Sequence, residues 1–238
     1  MNPLPPSLDF LRPLVTVDIV MFTVREAVLQ VLLVKRPAQG GEPFPGRWAL
    51  PGGFVNVSED ATLLDCALRK LREKTGVVTP YLEQLGSWGG AARDPRGWSI
   101  THCFYALVPS QAMALRKGAN AAEVNWFEVD MARRKRLAFD HGELLANAVA
   151  RLRSKVEYTS LPAFLLEEPF TLPALQETYE VVLGRPVDKS AFRKRMLDGD
   201  FMEEAGPMPG ALGRPAMGYR LRSRAKPMLF PRTFNART

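Results

Sequence analysis

Trp48-Ala-Leu-Pro-Gly-Gly-Phe-Val55, followed by Leu68-Arg-Lys-Leu-Arg-Glu-Lys-Thr-Gly-Val77, decides how this chain is read. The first segment sets two adjacent glycines between Pro51 and Phe54, which makes it a loop whose backbone can approach a neighbour or a ligand closely. Before and within the second, Leu63, Leu64, Ala67, Leu68 and Leu71 recur at helical spacing. Ser58 or Asp60 stands where a cap belongs, and Gly76 can end the helix in a left-handed conformation. Lys70, Glu73 and Lys74 lie three and four residues apart, so they share one face, opposite or beside the leucine stripe. With all three ionised that face carries about +1. It is either a solvated Lys/Glu face with ordinary ion pairs or a cationic face turned towards an anion, and lysine binds phosphate as a point charge.

Outward from this loop and helix, Leu14 to Val24 and Leu29 to Lys35 are β-rich runs joined by a charged turn. A Pro- and Gly-rich stretch from Arg36 leads to the loop. Beyond the helix come Tyr81 to Trp88, an irregular Gly-rich loop through Arg93-Asp-Pro-Arg-Gly97, a strand from Trp98 to Val108 and a short strand over Glu123 to Val129. A helix near His141 to Val156 carries Leu144, Leu145, Ala148, Val149 and Leu152 on one apolar face. Mixed strands around an early helix, closed by a late one, make an α+β arrangement. The domain boundary is placed at about Lys155 to Leu166, dividing the chain into 1–157 and 158–238.

The 238 residues, 46% hydrophobic, suffice for a substantial core in one large domain or two smaller ones. No run of about 18 apolar residues occurs, so a membrane span is not expected. The N-terminal Met1-Asn-Pro-Leu-Pro-Pro-Ser lacks the layout of a secretory signal. Cys66 and Cys103 suggest neither a zinc site nor a disulfide framework, and His102 beside Cys103 reads as a core or edge residue; a reducing cytoplasm fits. The net charge of +7 is concentrated: from Arg185 to Thr238 there are twelve Lys/Arg against five Asp/Glu, so residues 1–184 balance to zero. A basic module on a neutral one suggests a polyanionic partner, nucleic acid first and an acidic membrane surface second, against the plainer reading of a solubilising tail.

That basic module has a layout of its own. Phe170 to Gly184 reads as a helix with Thr171 as cap, Pro173 at an early position, Leu175, Tyr179 and Val182 on one face, and Gly184 as stop. Asp188 then caps a second helix, Lys189 to Leu197, in which Phe192 and Met196 face inward while Lys189, Ser190, Arg193 and Lys194 face out. Helix, tight turn and basic helix form the helix-turn-helix layout. Phe201-Met-Glu-Glu, a Pro/Gly-rich loop from Pro207 to Pro215 and a return strand from Met217 to Arg222 complete a hairpin wing, with Arg214 in its loop.

The opening stretch resembles a Nudix box. That pattern runs Gly, five residues, Glu, seven residues, then Arg-Glu-apolar-any-Glu-Glu-any-Gly-apolar. Gly53, Glu59, Arg69, Leu71, Glu73, Gly76 and Val77 answer to it, whereas Lys70 and Lys74 stand where the family has carboxylates, and the gap from Glu59 to Arg69 is two residues longer. In Nudix hydrolases those glutamates hold magnesium, and a lysine offers such an ion no oxygen ligand. The C-terminal half, with Phe-Thr-Leu-Pro-Ala-Leu-Gln, then Leu-Gly-Arg-Pro-Val-Asp-Lys-Ser-Ala-Phe-Arg-Lys and Gly213-Arg-Pro-Ala, is similar to the winged helix of the Nudix-related regulators of NAD metabolism, the NrtR type. Ser190 and Ala191 replace an Arg-Asn pair usual in that family.

The resemblance implies a homodimeric, ligand-responsive transcription factor whose Nudix-like domain senses ADP-ribose or a related nucleotide without a metal or other cofactor. The ligand residues then expected are Arg36, Arg47, Gly52, Gly53, Lys70, Glu73, Lys74, Arg93 and Arg96. The DNA residues are Lys189, Ser190, Arg193, Lys194 and Arg214. The alternative is a magnesium-dependent Nudix hydrolase of a nucleoside diphosphate derivative, using Glu59, Glu73 and a carboxylate outside the box such as Glu83.

Overall fold

A computed structural model describes residues 11–39, 41–75, 81–110, 122–209, 215–231 and 233–234, with the side chains at 74 and 75 outside it. The expected apolar runs become β1 (Leu14–Arg25) and β2 (Val28–Lys35), an antiparallel hairpin. Glu26 and Ala27 turn it with φ of 51° and 57°, the left-handed pair that matches the twist of two strands joined by a two-residue loop. Short strands β3 (Trp48–Ala49) and β4 (Gly52–Phe54) flank Leu50-Pro51. Then follow α1 (Leu63–Thr75), β5 (Tyr81–Asp94), β6 (Gly97–Leu107) and β7 (Glu123–Glu128). In the resulting seven-stranded sheet the order is β3-β2-β1-β6-β5, with β4 on β1 and β7 on β2. β1 is central and pairs in parallel with β6, from Leu14 opposite Ser99 to Phe22 opposite Leu107.

Two expectations change here. The Gly-rich segment is not a loop: β5 continues through it to Asp94, and only Pro95-Arg96 turn before β6. Gly89 and Gly90 stay in the ladder opposite Ile100 and Ser99, because pairing along a long neighbour offsets the weak strand propensity of glycine. Nor do Ser58 or Asp60 cap α1. Thr62 does, with Oγ1 accepting from the Asp65 N–H (3.1 Å) while Asp65 Oδ2 accepts from the Thr62 N–H (2.9 Å), a reciprocal box. Asp60 is drawn instead to Arg69 and the Asn56 N–H. On α1 the buried face is Cys66, Ala67 and Leu71, and Leu64 is exposed. Gly76, expected to end the helix, lies outside the described residues.

The sheet has two apolar faces. Val17, Ile19, Met21, Leu32 and Phe104 pack with the buried face of α1. Val20, Phe22, Val31, Leu33 and Tyr105 pack beneath α3 (His141–Val156), which begins and ends where the leucine periodicity placed it. A short helix α2 (Val129–Arg133), absent from the sequence reading, joins β7 to α3.

The second apolar face runs on without a break into the C-terminal module. Phe164, in a buried 3-10 turn (Leu161–Leu165), shares one core with Leu175, Tyr179 and Val182 of α4 (Leu172–Leu183) and with Phe192 and Met196 of α5 (Lys189–Asp198). Both caps hold as read: Thr171 Oγ1 accepts from Ala174 N–H (3.3 Å) and an Asp188 carboxylate oxygen from Ala191 N–H (2.9 Å). Gly184 ends α4 with φ of 70°. The wing is β9 (Met202–Met208) and β10 (Ala216–Leu221), joined by the unexpected two-residue β8 (Phe170–Thr171) in the order β8-β10-β9. The chain then returns to the junction, where Phe230 N–H donates to the Tyr158 carbonyl (2.7 Å) and Phe234 N–H to that of Glu157 (3.1 Å).

Candidate functional site

A pocket of about 360 Å³ opens where β4 meets β1 and the start of α3. Its wall at the Gly-Gly loop is fixed by close approach. A Cβ on Gly52 would lie 2.2 Å from Asp18 Oδ1 and 2.4 Å from the Val17 carbonyl oxygen, so only glycine lets β4 lie on β1. Gly53, at φ 154°, is covered by Lys70, whose Cε stands 3.1 Å from where a Cβ would be. Lys70 is therefore not a solvated lysine: its side chain is 14% exposed and reaches across the loop into the pocket wall, with Nζ 3.2 Å from Glu73.

Of the cations expected here, Arg36, Lys70, Arg93 and Arg96 line the pocket, and Lys35 joins them. Two expected ligand residues do not, and a third cannot be placed. Arg47 is turned onto the Phe44 ring, 5.3 Å from its centroid. Glu73 is outside the lining, held by Arg69 Nη1 (2.9 Å) and Lys70. Partial burial opposes its charge, but those two cations keep its carboxyl below the ordinary glutamate value. The side chain of Lys74 lies outside the described residues.

The pocket floor is a buried polar cluster that the sequence reading missed apart from Arg93. Asp18 Oδ2 accepts from Thr101 Oγ1 (2.8 Å) and Arg93 Nη2 (3.0 Å), and faces His141 Nε2 at 3.5 Å. Arg93 Nε donates to Asp140 Oδ2 (2.8 Å), whose other oxygen is buried without a hydrogen-bond partner among the described residues. The Leu50 N–H donates to His141 Nδ1 (2.8 Å), so the neutral ring carries its proton on Nε2, towards Asp18. Burial works against the Asp18 charge, yet His141, Arg93 and the Thr101 hydroxyl outweigh it and hold the carboxyl below its ordinary value. One sequence signal was available: Asp18 is the lone charge within the apolar run Leu14 to Val24. Phe139, also in the lining, has φ of 51°, a left-handed conformation that costs a bulky residue about 1–3 kcal/mol and that such sites retain when their surroundings enforce it.

The carboxylates named for hydrolysis are not brought together. Glu59 and Glu73 gather around Arg69 on the α1 side. Glu83 belongs to the other face, where it binds Tyr81 and Lys155 of α3. Among the described residues no three His, Cys, Asp or Glu side chains converge on a point that could hold a metal ion.

The second candidate surface is α5. Lys189, Ser190, Arg193 and Lys194 are all exposed on it, opposite buried Phe192 and Met196. Lys194 is 80% exposed and pairs with its helical neighbour Asp198 (3.1 Å). Arg195 is turned inward instead, over the Phe234 ring at 4.0 Å. Arg214 in the wing loop lies outside the described residues.

Comparison with known proteins finds a match for each half of the chain. Residues 12–148 match the NUDIX domain and residues 162–221 the NrtR DNA-binding winged helix domain. The chain is 43% identical over 224 residues to the ADPR responsive transcriptional repressor NtrR of Acinetobacter baylyi, covering 94% of this chain and 88% of that one. Shewanella oneidensis NrtR complexed with a 27mer DNA superposes with a TM-score of 0.84 at 42% identity, over 93% of this chain and 99% of that one. The NUDIX domain of the same protein complexed with ADP ribose superposes at 0.56 and 44% identity, over 63% and 94%. With a matching Nudix domain, a matching winged helix and a relative alike over nearly the full length, the chain belongs to the NrtR family of Nudix-related transcriptional regulators.

Proposed function

We propose that this protein is a transcriptional repressor whose Nudix domain takes ADP-ribose as effector and whose winged helix binds operator DNA. The observation that carries the reading is Lys70: the box position where a hydrolase has a carboxylate holds an ammonium instead, folded over Gly53 into a pocket already lined by Arg36, Arg93 and Arg96. Such a wall attracts a diphosphate directly, without a bridging cation. The four exposed polar and basic side chains of α5 are placed as a recognition helix presents them to a major groove. A homodimer in the cytoplasm, reading two half-sites one or two helical turns apart, follows from the same reading.

A gel shift with fragments flanking the gene tests it. One fragment should bind in the absence of effector and be released by ADP-ribose in buffer containing EDTA, with NAD as comparison. Binding unaffected by either nucleotide would refute the sensing half, and magnesium-dependent turnover of ADP-ribose abolished by Glu73→Gln would restore the hydrolase alternative.

A further inference from the structure

Glu42, between β2 and β3, joins two arginines from opposite rims of the pocket. Its Oε2 accepts from Arg36 Nη2 at 3.0 Å and from Arg96 Nη1 at 3.2 Å. Arg36 follows β2, whereas Arg96 sits in the turn between β5 and β6, and all three residues line the cavity. Each guanidinium is fixed independently of Glu42. Arg36 lies over the Phe139 ring at 5.0 Å and donates Nε to the Pro43 carbonyl at 2.6 Å. Arg96 lies over Phe54 at 4.9 Å and gives Nε and Nη2 to the buried carboxylate of Asp94. Two preset N–H edges therefore converge on a single oxygen, and the residue supplying that oxygen is the least anchored of the group: the Glu42 side chain is 52% exposed, that of Asp94 2%.

We infer that Glu42 is an affinity-setting residue of the ligand site, an internal stand-in for a ligand phosphate that holds the position between Arg36 and Arg96 until an anionic ligand displaces it. A neutral nucleoside offers those guanidiniums nothing in exchange for the carboxylate. A nucleoside diphosphate brings several oxyanions and replaces both contacts, while the Glu42 side chain, already half exposed, swings to solvent. Glu42 thus sets the affinity of the pocket for a diphosphate through competition within the chain, and leaves the affinity for a neutral nucleoside untouched. This inference rests on the pocket being the nucleotide site.

Calorimetry on the full-length protein tests it, with ADP-ribose as the charged probe and adenosine as the neutral one, at two salt concentrations. Glu42→Gln keeps the shape and removes the charge. It should bind ADP-ribose roughly 3- to 10-fold more tightly than the unaltered chain. Its affinity should also fall more steeply with salt, and adenosine binding should not change. Glu42→Ala should move in the same direction, which separates lost competition from hydrogen bonding by the new amide. Equal or weaker ADP-ribose binding by the variants, beside normal binding by the parent, overturns the inference and makes Glu42 inert or a direct ligand contact. No binding by the parent refutes the reading of the pocket itself, and the role of Glu42 with it.

Discussion

Asp18 holds together three segments that nothing in the order of the chain associates: β6 through Thr101, the end of β5 through Arg93 and the start of α3 through His141. Its carboxyl is depressed in the folded protein, so the stability it contributes is complete above its ordinary value of 3.8 and is lost as pH falls through the lower folded value. Melting temperature measured against pH should therefore drop below about pH 4, and Asp18→Asn should flatten that acid limb. At neutral pH the same substitution should cost about 3 kcal/mol, the lower end for breaking a buried ion pair, because Arg93 keeps Asp140. At the pocket wall, Lys70→Glu should weaken ADP-ribose binding in metal-free buffer roughly tenfold, the loss of one charge-assisted contact of about 1.5 kcal/mol; unchanged affinity would place the ligand elsewhere. The wall was legible in the sequence because the glycines and Lys70 belong to one contiguous pattern. Arg93 apart, the floor was not, because Asp18, Thr101 and His141 meet only once β1 pairs in parallel with β6, a long-range register no local period records.

Elements whose ends carry a cap and whose faces carry a strict period emerged as read. Thr171 and Gly184 bound α4, and Asp188 opens α5. The misplaced elements are those whose strand or cap depended on partners elsewhere: β5 persists through glycines because β6 lies beside it, and α1 starts at Thr62 because Arg69 claims Asp60. On α5, Arg193→Ala should erase much of the preference for the operator over random DNA, since a bidentate arginine-guanine contact discriminates by roughly 1–3 kcal/mol. Lys194→Ala should instead weaken every sequence alike and reduce the slope of log affinity against log salt by about one. Titrations on both DNAs at several salt concentrations distinguish the two, and a uniform loss in both variants would mean that α5 touches only phosphates.

Across the whole molecule, the core under α3 is shared between the two matched regions, and Arg153 Nε on the Val182 carbonyl (3.1 Å) and Tyr179 OH on that of Thr159 (2.6 Å) tie α3 and the linker to α4. Scanning calorimetry should show one endotherm, and ADP-ribose at about 100 times its dissociation constant should move all of it by about 2.7 kcal/mol of added stability. Two transitions, only one of them responsive, would show that the modules unfold independently. The sheet carries a further consequence for how the chain is made. β1 precedes the other strands of its sheet in the chain and is also the central one, yet its parallel partner ends at Leu107 and the neighbour of β2 at Glu128. Throughout that interval a growing chain holds a hairpin, rich in Val, Ile and Leu, whose long edges are covered only in part, by the short β3 and β4. Slowing translation before β6 emerges should therefore lower the yield of soluble protein, and an unchanged yield would show that the hairpin edges are harmless in the growing chain.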